Sequence, residues 1–370
     1  MSAMKRSFAF TPDYARPPGQ LIQEYLETLG ISARELARRC GRSPKLITEI
    51  VQGKAPIEPE TAMQLERVLN LDASIWLGLE ADYRLNVARA EEEDNLSLYD
   101  EWSKRFPLRT LEQRGFISAT TSQVEQVREL LRFFGVGSVA ACTARCEDLL
   151  SADFRTSPTF LSKVEALAAW LRIGELRASE LQMKDFNRST FVEALKQIRP
   201  LTRCPIPTAL PLIKDYCAEA GVAFVLEKPI EKVTASGVSR WLSPKRALIQ
   251  QSFRFRSDDH FWFTFYHEAA HLLLHSRKAL YIDLPKGGGN ADDEQETEAN
   301  EWAAEFLVPQ GELVKFLTRF RQHRTEEAII SFAQQHGISP GIVVGQLQHR
   351  GAIGFNQMNG LRAHYDWCEI

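Results

Sequence analysis

No run of uncharged apolar residues in this chain approaches the length needed to span a bilayer. The first residues, MSAMKRSFAFTPDYARPPG, lack an apolar core of signal-peptide length. Both absences argue against a membrane protein and lead us to expect a cytoplasmic one. Paired cysteines are missing too. The six cysteines (Cys40, Cys142, Cys146, Cys204, Cys217 and Cys368) include no CxxC, and the nearest two are separated by three residues. This speaks against a cysteine zinc site and leaves reduced, mostly buried thiols as the expectation. An excess of positive charge is also absent: the formal net charge is −3, so any nucleic-acid surface must be local. Internal repeats and low-complexity tracts do not occur. What remains is a chain of 370 residues, 44% hydrophobic and 25% charged, an ordinary composition with room for two or three domains.

The texture changes twice along the chain. Residues 1–80 hold a compact run of short helical patterns, and 81–205 read as a polar-faced helical connector or sensor region broken at Gly, Pro and Ser. From 206 to 370 strands enter, at 223–226, 237–242 and 246–251. Helical patterns follow at 258–275 and 293–308, separated by the glycine-rich loop 286–290, and Pro309 stops the second. Shorter helices fit 311–321, 325–335 and 340–349. The fold class expected is α+β: an all-α N-terminal domain, a helical connector, and a C-terminal domain with a small, mostly antiparallel sheet.

The stretch LGISARELARRCGRSPKLITEIVQGK, residues 29–54, contains two helices with a tight turn. Ser32 can cap the first, with Glu35 completing a capping box, and Leu36 and Ala37 face inward. Gly41 makes the turn. Ser43 caps the second helix, Pro44 opens it, and Gly53 ends it. Leu46, Ile47, Ile50 and Val51 form its buried stripe. This is the helix-turn-helix arrangement, in which the second helix enters the major groove of DNA with its N-terminal end leading. Charge concentrates here: residues 34–54 carry six basic residues against two acidic ones, leaving +4. Arg38, Arg39 and Arg42 are candidate phosphate contacts. Ser43, Lys45, Thr48 and Glu49 lie on the outward side and can reach base edges. The alternative is a plain helical bundle with a solvated basic face.

Residues 267–271 read HEAAH. Histidines four apart share a helix face, so His267 and His271 can reach one ion. Glu268 lies about 100° around the helix, where it flanks the ion and can take a proton from an attacking water. Zinc would make such a water acidic, with a pKa of roughly 7. The flanking runs FWFTFY and LLL bury this helix, so two unpartnered histidines and a glutamate would cost several kcal/mol there. Satisfied core histidines are the alternative. His275 lies about 12 Å along the axis from His267, too far for all three rings to share an ion. It reads as a helix-end residue or one supporting a ligand.

Zinc peptidases use three protein ligands. The next helix, 292–309, has an apolar stripe of Ala299, Trp302, Ala303, Phe306 and Leu307. Glu296 projects into that stripe, about 60° from Ala299, whereas Glu298 and Glu301 fall at its outer edge. Glu296 is the expected third ligand, although Glu298 stays open, and Asn300 is expected to orient a liganding side chain by hydrogen bonding. A solvated acidic helix start accounts better for Asp292, Asp293 and Glu294.

Residues 17–80 resemble the lambda-repressor-like helix-turn-helix family, and within it the HigA-type antitoxins. That likeness implies a homodimer on double-stranded operator DNA. The words SRWLSP (239–244), DHFWFT (259–264), HEAAHLLLH (267–275) and ETEANEWAAEFLVP (296–309) resemble the ImmA/IrrE metallopeptidases, peptidase family M78. The likeness extends over about 220–355, and Trp302 departs from the usual Phe. It implies a zincin-like domain, Glu296 as third ligand, Zn2+ as cofactor, and a zinc endopeptidase acting on a protein substrate, a repressor or toxin–antitoxin component. A non-catalytic HigA-like antitoxin or repressor, whose metal domain serves sensing or partner binding, is the second reading.

Overall fold

A computed structural model of the chain describes residues 16–149, 164–231, 233–276, 281–283, 293–320 and 325–368, with side chains left out at 281–283 and 293. It divides into two compact units, Met1–Asp100 and Glu101–Ile370. The boundary expected near residue 80 falls inside a long helix, Ala73–Ser97, and the connector expected at 81–205 is shared between the units. The expected loop 286–290 lies outside the described residues.

The first unit contains α1 (Pro18–Leu29), α2 (Ala33–Cys40), α3 (Pro44–Val51), α4 (Pro59–Leu69) and α5 (Ala73–Ser97). Ile22, Leu36, Ala37, Ile47, Leu65 and Trp76 are fully buried at its centre. Leu46 and Val51 are only half-buried, at the margin of the stripe expected for α3. The Ser32 and Ser43 hydroxyls each accept a backbone N–H three residues on, at 3.2 Å. Gly41 sits at φ 63°, a left-handed turn that favours glycine. Glu35 turns its carboxylate to Arg38 (2.9 Å) and Arg39 (2.8 Å), and those partners hold it at about 2.

Helix α6 (Asp100–Ser103) begins on the last residue of the first unit, and the second unit continues with α7 (Leu108–Gln113), α8 (Gln123–Phe134), α9 (Val139–Asp148), α10 (Val164–Ser179), α11 (Arg188–Ile198) and α12 (Ile206–Glu219). Then come β1 (Val222–Leu226), β2 (Gly237–Ser243), β3 (Arg246–Gln251), α13 (Asp258–Leu274), β4 (Tyr281–Asp283) and α14 (Asp293–Leu307). They are followed by α15 (Gln310–Phe320), α16 (Glu326–His336) and α17 (Pro340–His349). Among the described residues four strands form one mixed sheet in the order β1-β3-β2-β4, in which β1 and β3 pair parallel and β2 pairs antiparallel with β3 and β4. Strands β1 and β3 are buried on both faces, which is why β1 reads as a continuous apolar run and why the glutamines at the end of β3 are buried with it.

Alternation along the strands sorts the two faces. Phe224 and Ile249 pack into the large core with Trp262, Phe265 and Tyr266 of α13. Ala223, Val225 and Leu248 face the other way, onto Ala178 of α10. The sheet is therefore a middle layer between α13 and α10. Polar anchors tie α10 to it. Gln250 donates to the Trp170 carbonyl (2.8 Å), and Arg240 of β2 donates to the Leu171 carbonyl (2.8 Å). All six cysteines are free thiols, four of them buried. Among the described residues no helix is long and apolar enough to cross a membrane.

Candidate metal centre and nucleic-acid interface

Helix α13 is apolar on nearly every side, so its polar residues are buried with it: His267, Glu268 and His271 are at most 3% exposed. The four-residue spacing brings the two imidazoles to one face, with their Nε2 atoms 3.0 Å apart. From α14, Glu296 reaches both rings, with Oε2 3.3 Å from His267 Nε2 and Oε1 3.3 Å from His271 Nε2. One donor atom from each of these three residues lies within 4.8 Å of the others. Asn300, one helical turn beyond Glu296, places Oδ1 3.1 Å from His267 Nδ1. Glu298 reaches His275 Nε2 instead (3.2 Å).

Electrostatics prepares these donors. Burial pushes the His271 imidazolium down to about 4, so the ring is neutral near pH 7. Asn300 Oδ1 can only accept, so the proton of neutral His267 sits on Nδ1 and the Nε2 lone pair faces His271. Two buried imidazole nitrogens and a carboxylate that is partly open to solvent suit a divalent cation with N/N/O ligation and a side accessible from outside.

Glu268 lies outside that donor group, wholly buried beside β2. It fits because residue 237 is glycine. A Cβ at Gly237 would lie 2.5 Å from Glu268 Oε1 and 2.6 Å from Thr264 Cγ2. Nothing in the sequence marks Gly237 beyond its place at the start of a strand, since its role depends on how β2 lies against α13.

In the first unit Arg38 and Lys45 are well exposed, with side-chain accessibilities of 79% and 85%. Arg39 is half-exposed, and Glu49 stands 3.8 Å from Lys45. The Ser43 hydroxyl is occupied as the α3 cap, and the Thr48 hydroxyl donates to the Pro44 carbonyl (2.8 Å). Arg42 is drawn back onto α4 by Gln64 (2.7 Å) and Glu60 (2.9 Å), whereas Arg38 and Lys45 extend into solvent. Gln52, exposed one turn beyond Thr48, is a further candidate that four-residue spacing alone would have flagged.

Residues 22–76 match the helix-turn-helix family model, and residues 225–348 match that of the IrrE N-terminal-like domain, Peptidase_M78. Virulence-associated protein I of Dichelobacter nodosus is 36% identical over 77 residues, 20% of this chain and 71% of that protein. The chain belongs to the helix-turn-helix family. The uncharacterized HTH-type transcriptional regulator YddM of Escherichia coli (strain K12) is 37% identical over 71 residues, 19% of this chain and 76% of its own length. Virulence-associated protein A of Dichelobacter nodosus is 37% identical over 71 residues, 19% of this chain and 70% of that protein. These relatives match about a fifth of the chain. In this protein the helix-turn-helix domain, which implies DNA binding, is joined to a Peptidase_M78 domain, a family that suggests metallopeptidase chemistry. His267, His271, Glu296 and Asn300 all fall within the Peptidase_M78 match, and α2 and α3 within the helix-turn-helix match.

Proposed function

We propose that this protein is a DNA-binding, antitoxin-like transcriptional regulator that also hydrolyses peptide bonds in a regulatory protein, using zinc held by His267, His271 and Glu296. The observation that carries this reading is the convergence of those three side chains, from two helices, beside the buried carboxylate of Glu268. When bound, the ion supplies Lewis acidity. Asn300 holds the His267 ring so that Nε2 presents its lone pair. Glu268 takes the proton of the attacking water and later delivers it to the leaving amine. Gly237 keeps room for that carboxylate. The substrate class is an intact repressor or a toxin–antitoxin component, and the working form is a homodimer.

Metal analysis of the purified full chain tests the centre directly. About one zinc per chain is expected, falling sharply in both His267→Ala and Glu296→Ala. Zinc that persists undiminished in both variants would place the metal elsewhere and remove the peptidase reading.

The DNA-binding half is tested by salt. Each cation withdrawn from a phosphate should lower the slope of log affinity against log salt by about 0.9 on duplex DNA. Neutralising Arg38, Arg39 and Lys45 together should flatten the slope measurably, whereas Arg42→Ala, already tied to Gln64 and Glu60, should change it least. Fluorescence anisotropy on a labelled duplex across a salt series reads this. A slope unchanged by the triple variant would favour a helix-turn-helix domain that binds protein only.

A further inference from the structure

Two histidines of the candidate centre are oriented by different means, and the second means has no role in the reading above. His267 is set by the Asn300 amide. His271 turns Nδ1 to another histidine: its Nδ1 lies 2.9 Å from His275 Nδ1, and His275 Nε2 lies 3.2 Å from Glu298 Oε2. The backbone makes this contact. Helix α13 ends at Leu274, and His275 is extended (φ −109°, ψ 177°) while its N–H still donates to the His271 carbonyl at 3.1 Å. Leaving the helix there lets the His275 ring turn back on His271, with ring centroids 5.0 Å apart, rather than continue the row along the axis. The His275 side chain is only 4% exposed, while Glu298 is 58% exposed at the outer end.

Proton positions along this chain follow from which atoms can only accept. An ionised carboxylate only accepts, so the His275 proton sits on Nε2 and points at Glu298. Neutral His275 then carries a lone pair on Nδ1. The short Nδ1···Nδ1 contact is a hydrogen bond only if His271 brings the proton. That leaves the His271 Nε2 lone pair directed at His267 Nε2 and the Glu296 carboxylate.

We propose that Glu298 and His275 form a positioning relay that fixes His271 in the tautomer able to bind the metal through Nε2, doing for His271 what Asn300 does for His267. This rests on the metal reading above and deepens it. It gives His275 and Glu298 a role that neither ligation nor general-base chemistry requires.

The test uses the full-length protein, zinc alone as the probe, and zinc affinity from competition with a chromophoric chelator. The thermal midpoint of the zinc-free protein is the second readout. His275→Ala is expected to weaken zinc binding about 10–100-fold, the usual effect of removing a partner behind a liganding histidine. Glu298→Ala should weaken it in the same direction, and Glu298→Gln, whose carbonyl still accepts, should restore most of the affinity. Because both residues act through one ring, the double variant should bind no worse than His275→Ala. The zinc-free midpoint of the Glu298 variants should not move, since that side chain is mostly in solvent. If His275→Ala proves too unstable to measure, the Glu298→Ala and Glu298→Gln pair decides alone.

Wild-type affinity in His275→Ala or in Glu298→Ala would overturn the relay while leaving the metal centre standing. Fully additive losses in the double variant, or equal losses for Glu298→Gln and Glu298→Ala, would do the same. A wild-type chain that takes up no zinc would sink the metal reading and the relay with it.

Discussion

Glu268→Gln is expected to lower peptide-bond cleavage by about 10²–10⁴-fold, the range that a positioned general acid–base residue contributes, and to leave zinc content at the wild-type level. The substitution keeps shape and volume. Gln can occupy the same slot beside Gly237 and Thr264, where any larger departure would clash. It cannot accept a proton from water near neutral pH. Glu268 lies outside the three-residue donor group, so the metal should be retained. Comparing new protein N-termini in cells that make the wild type or the variant reads the effect without a known substrate. Termini that appear with the wild type and vanish with Glu268→Gln identify the substrate. If regulation and every wild-type-dependent terminus survive the change, the non-catalytic antitoxin reading replaces the enzyme.

The parts of this molecule that the sequence announces are those set by short-range periodicity. Helices at 258–274, 293–307, 326–336 and 340–349 fall within a residue or two of their expected spans, as do the three longer strands. The approach of Glu296 to the histidines was legible because projecting one helix at 100° per residue places it on the apolar stripe. The preference over Glu298 came from the same projection, and the structure puts Glu298 against His275 instead. What stayed hidden depends on contacts between distant segments. Strand β4 is three residues long and exists through its pairing with β2. The contacts of Arg42 with Gln64 and Glu60 of α4 are of this kind, since they join residues about twenty apart in the chain. Helix α10 falls inside the stretch expected to be a polar-faced connector, because nothing local shows that it covers one face of the sheet.

That hidden layer leads to the largest stability effect expected. Glu175 of α10 is enclosed by three guanidinium groups: Arg172 (2.6 Å), Arg240 of β2 (3.1 Å) and Arg145 of α9 (3.1 Å). Arg240 is 8% exposed at its side chain and Glu175 17%. Burial pushes the Arg240 guanidinium down while Glu175 pulls it up; arginine nonetheless remains charged. Removing the carboxylate leaves three cations facing one another, one of them buried. Glu175→Ala should therefore cost about 3–5 kcal/mol, the range for breaking a buried pair by deleting one partner. Its partial exposure points to the lower end.

The pH dependence has a definite sign. Burial alone would raise the Glu175 carboxyl, but Arg240, Arg172 and Arg145 outweigh it and hold it below its ordinary value. Its contribution is thus complete above the unfolded carboxylate range, near about pH 4.3, and is lost as pH falls through the lower folded value. Urea denaturation at pH 7 and across the acid limb should show both effects. Glu175→Gln should flatten the stability curve below about pH 4 relative to wild type. Replacing Glu175 and Arg240 together by Leu and Met should recover much of the loss, because paired charges exchanged for packed apolar groups are often neutral. A loss under about 1 kcal/mol in Glu175→Ala would mean the cluster is only a solvated ion network of the kind that contributes little. Helix α10 would then cover the sheet by its apolar contacts alone. If the cost is as large as expected, the strand whose Gly237 admits Glu268 is held in place by a charge cluster that lies outside the Peptidase_M78 match in all but Arg240.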